Sequence, residues 1–356
     1  MSACATESGG LVLGLETSCD ETAAAVVRAG PNGAAVLANV VASQAGMHAR
    51  WGGVVPEVAS RQHLAAIVPV VRAALAEAEA TWDDLAAVAV TNGPGLIGAL
   101  MVGLSYAKAV ALARGLPLVG VNHVLAHVYA SFLDRQPPRF PFLALIASGG
   151  HTDIVRFRDH DDYETVGATR DDAAGEAFDK VARLLDLGYP GGPAVDRLAR
   201  SGQPTAISWP RPRLSDELGR YDFSFSGLKT AVLYHLQRAA AAGRAVEPAD
   251  VAASFQATVA AALTATVVEA STELGVKRIV VAGGVAANSA LRRRLGEAAD
   301  RAGLEVFIPP PDLCTDNAAM VAAAGYYLHA RGRRDGMDLA AYSRGAAPRA
   351  GPGDPA

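Results

Sequence analysis

The spacing of apolar residues changes period several times along the chain. Near the start, LVLGLE runs apolar up to Glu16, a polar stretch TSCDET fills residues 17–22, and AAAVV restores the apolar run. Apolar, partly β-branched runs around a short polar break predict a β-hairpin. The plan returns in FLALIASGGHTDIVRF, residues 142–157, with Gly149 and Gly150 at the tight turn. Longer elements follow each hairpin. Pro56 opens a helical pattern, LAAVAVTNGPG reads as a buried strand entering a glycine turn, and residues 96–114 carry helical spacing. Further on, residues 172–185 and 251–274 predict helices, and VKRIVVAGGVAANSALRRRL predicts strand, glycine turn and helix. In NHVLAHVYA, Asn122 is placed to cap a helix from His123 to about Leu133, and a last long helix is expected from Asp316 to about Ala330.

Two halves, each led by a hairpin and followed by helices behind a sheet, predict a duplicated α/β unit. The expected lobes are residues 11–135 and 136–315, with RQPPRFP at residues 135–141 as the crossing and residues 316–333 packing back on the first lobe. Residues 1–10 and the Gly/Pro/Ala-rich residues 344–356 are expected to be disordered. The pattern predicts an actin-like, sugar-kinase-like architecture, in which a nucleotide would lie between the lobes. A doubly wound dehydrogenase is the weaker fit, because neither leading turn has G-x-G-x-x-G spacing at a strand-to-helix junction.

Composition narrows the class. At 356 residues, 51% hydrophobic and 19% charged, the chain is long enough for two cores and too apolar for a disordered protein. A formal net charge of −4 gives no global attraction for polyanions, so nucleic-acid binding has to come from a local patch or a partner. Cys4, Cys19 and Cys314 make neither a disulfide framework nor a cysteine zinc site, which fits a reducing cytoplasm. No export signal is expected, and no membrane span, since the most apolar stretch, residues 96–121, contains Ser105, Lys108 and Arg114.

Three small-residue turns are candidates for cradling phosphate or nucleoside: residues 17–22, 147–152 and 282–288. Successive N–H groups unobstructed by a Cβ form an anion-binding concavity. Around the Pro-Gly-Gly turn, Asp179, Gly191, Gly192 and Asp196 combine exposed backbone with carboxylates able to accept from ribose hydroxyls, although by pattern alone helix, turn and helix with solvated charges is the better explanation. His123 and His127 stand one helical turn apart on one face, near the positive end of a helix dipole that favours neutral imidazole. Such a pair is more often structural than ligating, and a third ligand changes that. Asp316 is the leading candidate, giving a two-histidine, one-carboxylate set that suits Fe(II) or Zn(II), although Asp316 read alone is an N-cap. A metalloprotease would need glutamate directly after the first histidine; Val124 stands there.

These motifs resemble the tRNA adenosine threonylcarbamoyltransferases, the TsaD family, once taken for glycoprotein endopeptidases. The resemblance spans residues 11–332 and is carried by LGLETSCDET, GGVVPEVASRQH, TNGPGLIGAL, NHVLAH, ASGGHT, DDAAGEAFDKVARLLDLGYPGGPAVD, FSFSGLKTAV, AGGVAANSALR and CTDNAAM, in that order. It implies an actin-like ATPase fold that binds threonylcarbamoyl-AMP and transfers the threonylcarbamoyl group to N6 of adenosine 37 in tRNAs reading ANN codons. By motif, His123, His127 and Asp316 would hold one divalent metal, iron in the first place with zinc as the alternative. Ile146, Ala147, Ser148, Gly149 and Gly150 would contact the substrate, and Asp179, Gly192, Asp196 and Asn288 the adenylate. Asp20 or Glu21 is a candidate acceptor for the amine proton. Implied partners are the tRNA anticodon loop, a shorter actin-fold paralogue, a small P-loop ATPase and a threonylcarbamoyl-AMP synthase. A non-catalytic scaffold or a small-molecule kinase of the same fold are the rival readings.

Overall fold

The computed structural model describes residues 10–30, 33–134, 136–212 and 219–343. In chain order the first elements are β1 (Gly10–Glu16), β2 (Glu21–Gly30), β3 (Gly33–Ser43), α1 (Ala45–His48), α2 (Pro56–Glu77), β4 (Leu85–Gly93), α3 (Ile97–Arg114), β5 (Leu118–Asn122) and α4 (His123–Tyr129). Next come β6 (Phe142–Ala147), β7 (Thr152–Phe157), β8 (Tyr163–Ala168), α5 (Ala174–Leu184), α6 (Gly191–Ala199), α7 (Ser226–Ala241) and α8 (Pro248–Glu273). The chain continues through β9 (Arg278–Ala282), α9 (Ser289–Ala302), β10 (Glu305–Phe307), α10 (Pro311–Cys314) and α11 (Ala318–Ala330).

The chain forms two compact units, one of residues Met1–Pro137, His160–Asp162 and Thr315–Ala356, the other of Pro138–Asp159 and Tyr163–Cys314. Their sheets have the same topology. In unit 1 the order is β3-β2-β1-β4-β5, in unit 2 β8-β7-β6-β9-β10. Each begins with an antiparallel three-strand meander and adds two strands parallel to the first. Two copies of one plan are what the paired hairpins in the sequence led us to expect. Segments 1–9 and 344–356, expected to be disordered, lie outside the described residues, whereas Gly10 is ordered because it pairs with Ala29 in the β1–β2 ladder.

In unit 1, α11 packs across β1, β4 and α4. The approach is close because the residues are small. A Cβ on Gly14 of β1 would stand 2.3 Å from the Ala318 carbonyl oxygen, and one on Gly325 of α11 2.2 Å from the Ala89 Cβ. An alanine-rich helix seated this tightly fixes where its N-terminal end, and so Asp316, must lie. Unit 2 is built round α8, whose Val251, Phe255, Val259, Leu263 and Val267 sit in one core with Leu143, Leu145, Ile279 and Val281 of the sheet. Helices α3 and α8 are long and apolar enough to cross a membrane by length and composition. Most of that stretch of α8 is core, and α3 turns Ala99, Leu100, Leu104 and Ala107 inward.

Some boundaries differ from those expected. The helix that opens at His123 is α-helical only to Tyr129 and tightens into a 3-10 turn over Ala130–Phe132, so it stops near Leu133 with a changed last turn. The last helix starts at Ala318, and its cap is Asn317, whose side chain accepts the Met320 N–H at 3.1 Å. Asp316 is therefore not the cap, and its carboxylate is free to face elsewhere.

Candidate metal centre and glycine turns

Asn122 accepts the Leu125 N–H at 3.0 Å, a cap that contributes about 1 kcal/mol and fixes where α4 starts. Its first turn therefore presents His123 and His127 together, ring centroids 4.9 Å apart. Asp316, almost two hundred residues on, meets both: its Oδ1 lies 3.6 Å from His123 Nε2 and 3.3 Å from His127 Nε2. One ligand atom from each residue falls within 4.8 Å of the others.

Glu16, the last residue of β1, holds this group from behind. It is fully buried, and its carboxylate accepts the Ser18 N–H at 2.6 Å and the Thr91 hydroxyl at 2.6 Å, with His123 Nδ1 at 3.0 Å from Oε2. A carboxylate against Nδ1 sets the tautomer with the proton there and leaves Nε2 directed at Asp316. The Ser18 hydroxyl is 3.1 Å from the same nitrogen. Glycines let this turn settle: a Cβ on Gly95 would stand 2.7 Å from the Ser18 carbonyl oxygen, and one on Gly103 2.5 Å from Thr17 Oγ1.

The electrostatics overturn one expectation. The helix dipole favours neutral imidazoles, and burial of His123 also disfavours its charge. The Glu16 and Asp316 carboxylates outweigh both and raise the His123 pKa to about 9. Burial likewise opposes ionisation of Asp316, yet His123 and His127 hold it down at about 2. Glu16 stays below its ordinary value despite its burial, because His123 faces it. Two carboxylates thus surround a site that attracts positive charge.

His127 tests whether a metal fits. It is 2% exposed, and neither ring nitrogen has an aligned hydrogen bond even though Asp316 is within reach. A buried imidazole normally has partners for its nitrogens, and leaving them unmet costs about 1–3 kcal/mol. Two imidazole nitrogens and a carboxylate oxygen with further positions open form a donor set suited to a divalent transition metal. Val124, between the histidines, is buried and apolar, so no general base for proteolysis stands there.

Asp20 and Glu21 end the first turn. Asp20 is 6% exposed, and Glu21 accepts the Ser43 hydroxyl at 2.9 Å. Burial, with the charges of Asp316 and Asp20 beside it, pushes the Glu21 carboxyl up to about 9.

In unit 2 the equivalent turn is open on its glycine side. Ser148 N–H donates to the His151 carbonyl at 2.8 Å, its own carbonyl accepts the Gly175 N–H at 3.1 Å, and among the described residues no hydrogen bond engages the N–H of Gly149 or Gly150. A Cβ on either glycine would meet nothing within 4 Å. Packing therefore does not require glycine at these positions, which suits a ligand approaching the backbone. Ile146 and Ala147 end β6 with fully buried side chains, leaving their backbone as what a ligand can reach. The third turn lies alongside: Gly283 has φ +86, and a Cβ there would stand 2.4 Å from the Ala147 carbonyl oxygen. Gly284 beside it faces open space.

Asp179 on α5 accepts the Gly191 N–H at 2.8 Å, and burial raises its pKa while the Gly191 and Gly192 N–H groups pull the other way. Gly192 is open, like Gly149. Asp196 accepts from Ser289 N–H at 3.1 Å and its hydroxyl at 2.7 Å, tying α6 to the start of α9. Asn288 caps α9 through the Leu291 N–H at 3.0 Å and donates to Gln256 at 2.8 Å, so both ends of its amide are engaged. The structure thus gathers Asp196 and Asn288 at one helix start, and Asp179 and Gly192 at another.

Glu16 was not foreseen. A carboxylate closing an otherwise apolar strand is the signal that points to it, since α/β sheets collect ligands at the carboxyl ends of their strands.

The family model for TsaD, tRNA N6-adenosine threonylcarbamoyltransferase, matches residues 35–323. Curated tRNA N6-adenosine threonylcarbamoyltransferases are similar over nearly their whole length. That of Symbiobacterium thermophilum is 55% identical, covering 93% of this chain and 95% of its own, and that of Moorella thermoacetica 54% identical, covering 92% and 94%. Among solved structures, HypF of T. kodakarensis resembles the chain with a TM-score of 0.60 at 17% identity, over 92% of this chain and 48% of HypF. The activator of the 2-hydroxyisocaproyl-CoA dehydratase from Clostridium difficile resembles it with a TM-score of 0.50 at 14% identity, over 90% and 96%. Those two likenesses show the actin-like fold alone. The family match and the curated relatives show more: the chain belongs to the tRNA N6-adenosine threonylcarbamoyltransferase family and is an acyltransferase acting on tRNA.

Proposed function

We propose that the chain transfers threonylcarbamoyl from threonylcarbamoyl-AMP to N6 of adenosine 37 in tRNAs that read ANN codons, with unit 1 holding a metal and unit 2 the adenylate. The observation that carries the metal assignment is the meeting of His123, His127 and Asp316 from two distant segments, within 4.8 Å, around an imidazole lacking hydrogen bonds. Fe(II) is favoured and Zn(II) is the alternative. Bound there, a divalent cation would supply Lewis-acid polarisation of the acyl group.

The chain's own residues then divide the work. Glu16 orients His123 through Nδ1. The free N–H groups of Gly149 and Gly150 suit the phosphate oxygens, on which negative charge grows as the anhydride breaks. Asp179, Gly192, Asp196 and Asn288 are proposed to bind the nucleoside, Asp196 and Asn288 through the α9 start they already stabilise. The adenine N6 attacks the carbamoyl carbon, the new C–N bond forms, and the C–O bond to phosphate breaks with its electron pair leaving on AMP. N6 gives up a proton. Asp20 and Glu21, at the end of the first turn, are its candidate acceptors. An exocyclic amine is a weak nucleophile, so positioning carries much of the acceleration.

The donor has to come from a threonylcarbamoyl-AMP synthase, and we assign a shorter actin-fold paralogue and a P-loop ATPase as further partners. Exposed apolar side chains on the packed pair α2 and α3 support a protein partner: Leu64, Val68, Ile97, Met101 and Leu112. Modification of tRNA from threonine, bicarbonate and ATP by the purified partners should require this chain and fall at least a hundredfold with His123→Ala. Undiminished product without the chain contradicts the reading. A scaffold of this fold would carry no metal and would tolerate His123→Ala.

A further inference from the structure

The first turn of unit 1 faces two ways. Through Ser18 it touches His123, and two residues on, the Asp20 carbonyl accepts the Gln44 N–H at 3.0 Å. From Gln44 the chain runs through α1 and a 3-10 turn, Ala49–Trp51, to α2. This segment is pinned from inside. His48 is fully buried, its Nδ1 accepting the Val55 N–H at 3.3 Å and its Nε2 donating to Gln44 Oε1 at 3.2 Å. Gln44 Nε2 in turn donates to the Ala59 carbonyl at 3.4 Å.

At the tip of this braced segment stands Trp51, 51% exposed. The Arg50 guanidinium lies 5.3 Å from its ring centroid, and the His48 ring 6.0 Å away on the protein side. The other tryptophans are more enclosed: Trp209 is 8% exposed and donates to Ser254, and Trp82, though Arg114 lies 5.5 Å from its ring centroid, packs beside the unit 1 core. A large aromatic ring half in water forfeits burial that proteins ordinarily exploit. A rigid exposed ring with a cation over it is the arrangement that stacks an unpaired nucleobase.

We propose that Trp51 with Arg50 is a stacking platform for an unpaired base of the anticodon loop of the substrate tRNA, next to the adenosine being acylated. The inference rests on the reading that His123, His127 and Asp316 mark the reaction centre. The charges nearby favour a base over a phosphate. Asp20 and Asp316 border the turn, Glu57 opens α2, and Arg50 is the cation on the ring. Phosphates gain little among carboxylates, whereas stacking uses a π-face that every base has. Single-stranded loops with splayed bases are also what proteins read in RNA.

The test is a titration of unmodified tRNA in the reconstituted reaction with full-length chain and partners. Trp51→Ala should raise KM for tRNA about tenfold or more, with kcat within about twofold and metal content unchanged, and Trp51→Phe should restore most of the loss. Arg50→Ala should raise KM a few-fold. Unchanged KM in Trp51→Ala, or no rescue by Phe, overturns the proposal. So does loss of co-purification with the paralogue while KM for tRNA stays the same, which makes Trp51 a protein contact. Failure of the underlying reading looks different: His123→Ala would remain active while the Trp51→Ala effect on KM persisted.

Discussion

The turns after β1 and after β6 occupy the same place in two sheets of identical topology, yet their surroundings differ. Residues 17–20 are packed: Thr17, Ser18 and Asp20 are buried, two glycines of α3 and its approach press on them, and Glu16 below is fully enclosed. At residues 148–150 the backbone is approached from one side, where a Cβ on Gly175 would stand 2.5 Å from the Ser148 carbonyl oxygen, but a Cβ on Gly149 or Gly150 would meet nothing within 4 Å and, among the described residues, no hydrogen bond engages their N–H groups. The first is a rigid mount for a side chain, the second an open cradle of backbone. Two copies of one scaffold thus differ in the residues at their strand ends, and the proposed division of chemistry follows from that difference.

The largest effect should come from removing the mounted ligands. Asp316→Ala or His127→Ala should abolish metal binding, read as metal content near zero after purification, with tRNA modification down at least a hundredfold. Retained metal in either variant would break the contrast between the two turns. Glu16→Gln comes next. The amide keeps an acceptor oxygen but loses the charge that holds His123, so metal affinity should fall about 10–100-fold, measured by competition with a chelator. Equal affinity would reduce Glu16 to a packing residue.

Glycine substitutions sharpen the comparison on stability. Gly95→Ala places a methyl 2.7 Å from the Ser18 carbonyl oxygen and should lower Tm by several degrees and weaken metal binding. Gly149→Ala, with nothing within 4 Å of the new Cβ, should leave Tm unchanged and raise KM for the adenylate. Equal Tm losses at both sites would erase the difference between mount and cradle.

A smaller effect is expected from pH on the metal-free chain. The folded-state pKa of His123 is raised, from 6.5 to about 9, so its contribution to stability is complete below about pH 6.5 and is lost as pH rises through 9. Chemical denaturation of metal-free protein should show declining stability over that window, with Glu16→Gln flattening the decline. Stability that rises there would contradict the carboxylate field around His123.

How far the sequence discloses this depends on how local each cause is. The hairpins, the Asn122 cap and the one-turn spacing of His123 and His127 are encoded within a few residues, and the folded chain keeps them. Asp316 was legible as a ligand candidate, but its rival role as a cap was excluded only by Asn317, one residue on, taking that place. The charge of His123 was not legible. The helix dipole is a local property, whereas Glu16 and Thr91 reach the site through β1 lying parallel to β4, 75 residues apart in sequence. Burial of the Ala147 side chain belongs to the same kind, since it shares a core with helix residues far along the chain such as Ala177 and Phe255.

The central claim is that the mount in unit 1 holds a metal on which threonylcarbamoyl transfer to tRNA depends. Its most direct test is to deplete the purified chain of metal, titrate Fe(II) back, and follow tRNA modification in the reconstituted system. The account predicts loss of modification on depletion, recovery that saturates at one metal per chain, and no recovery in His127→Ala. Full modification by the depleted chain, or equal recovery in His127→Ala, would contradict it.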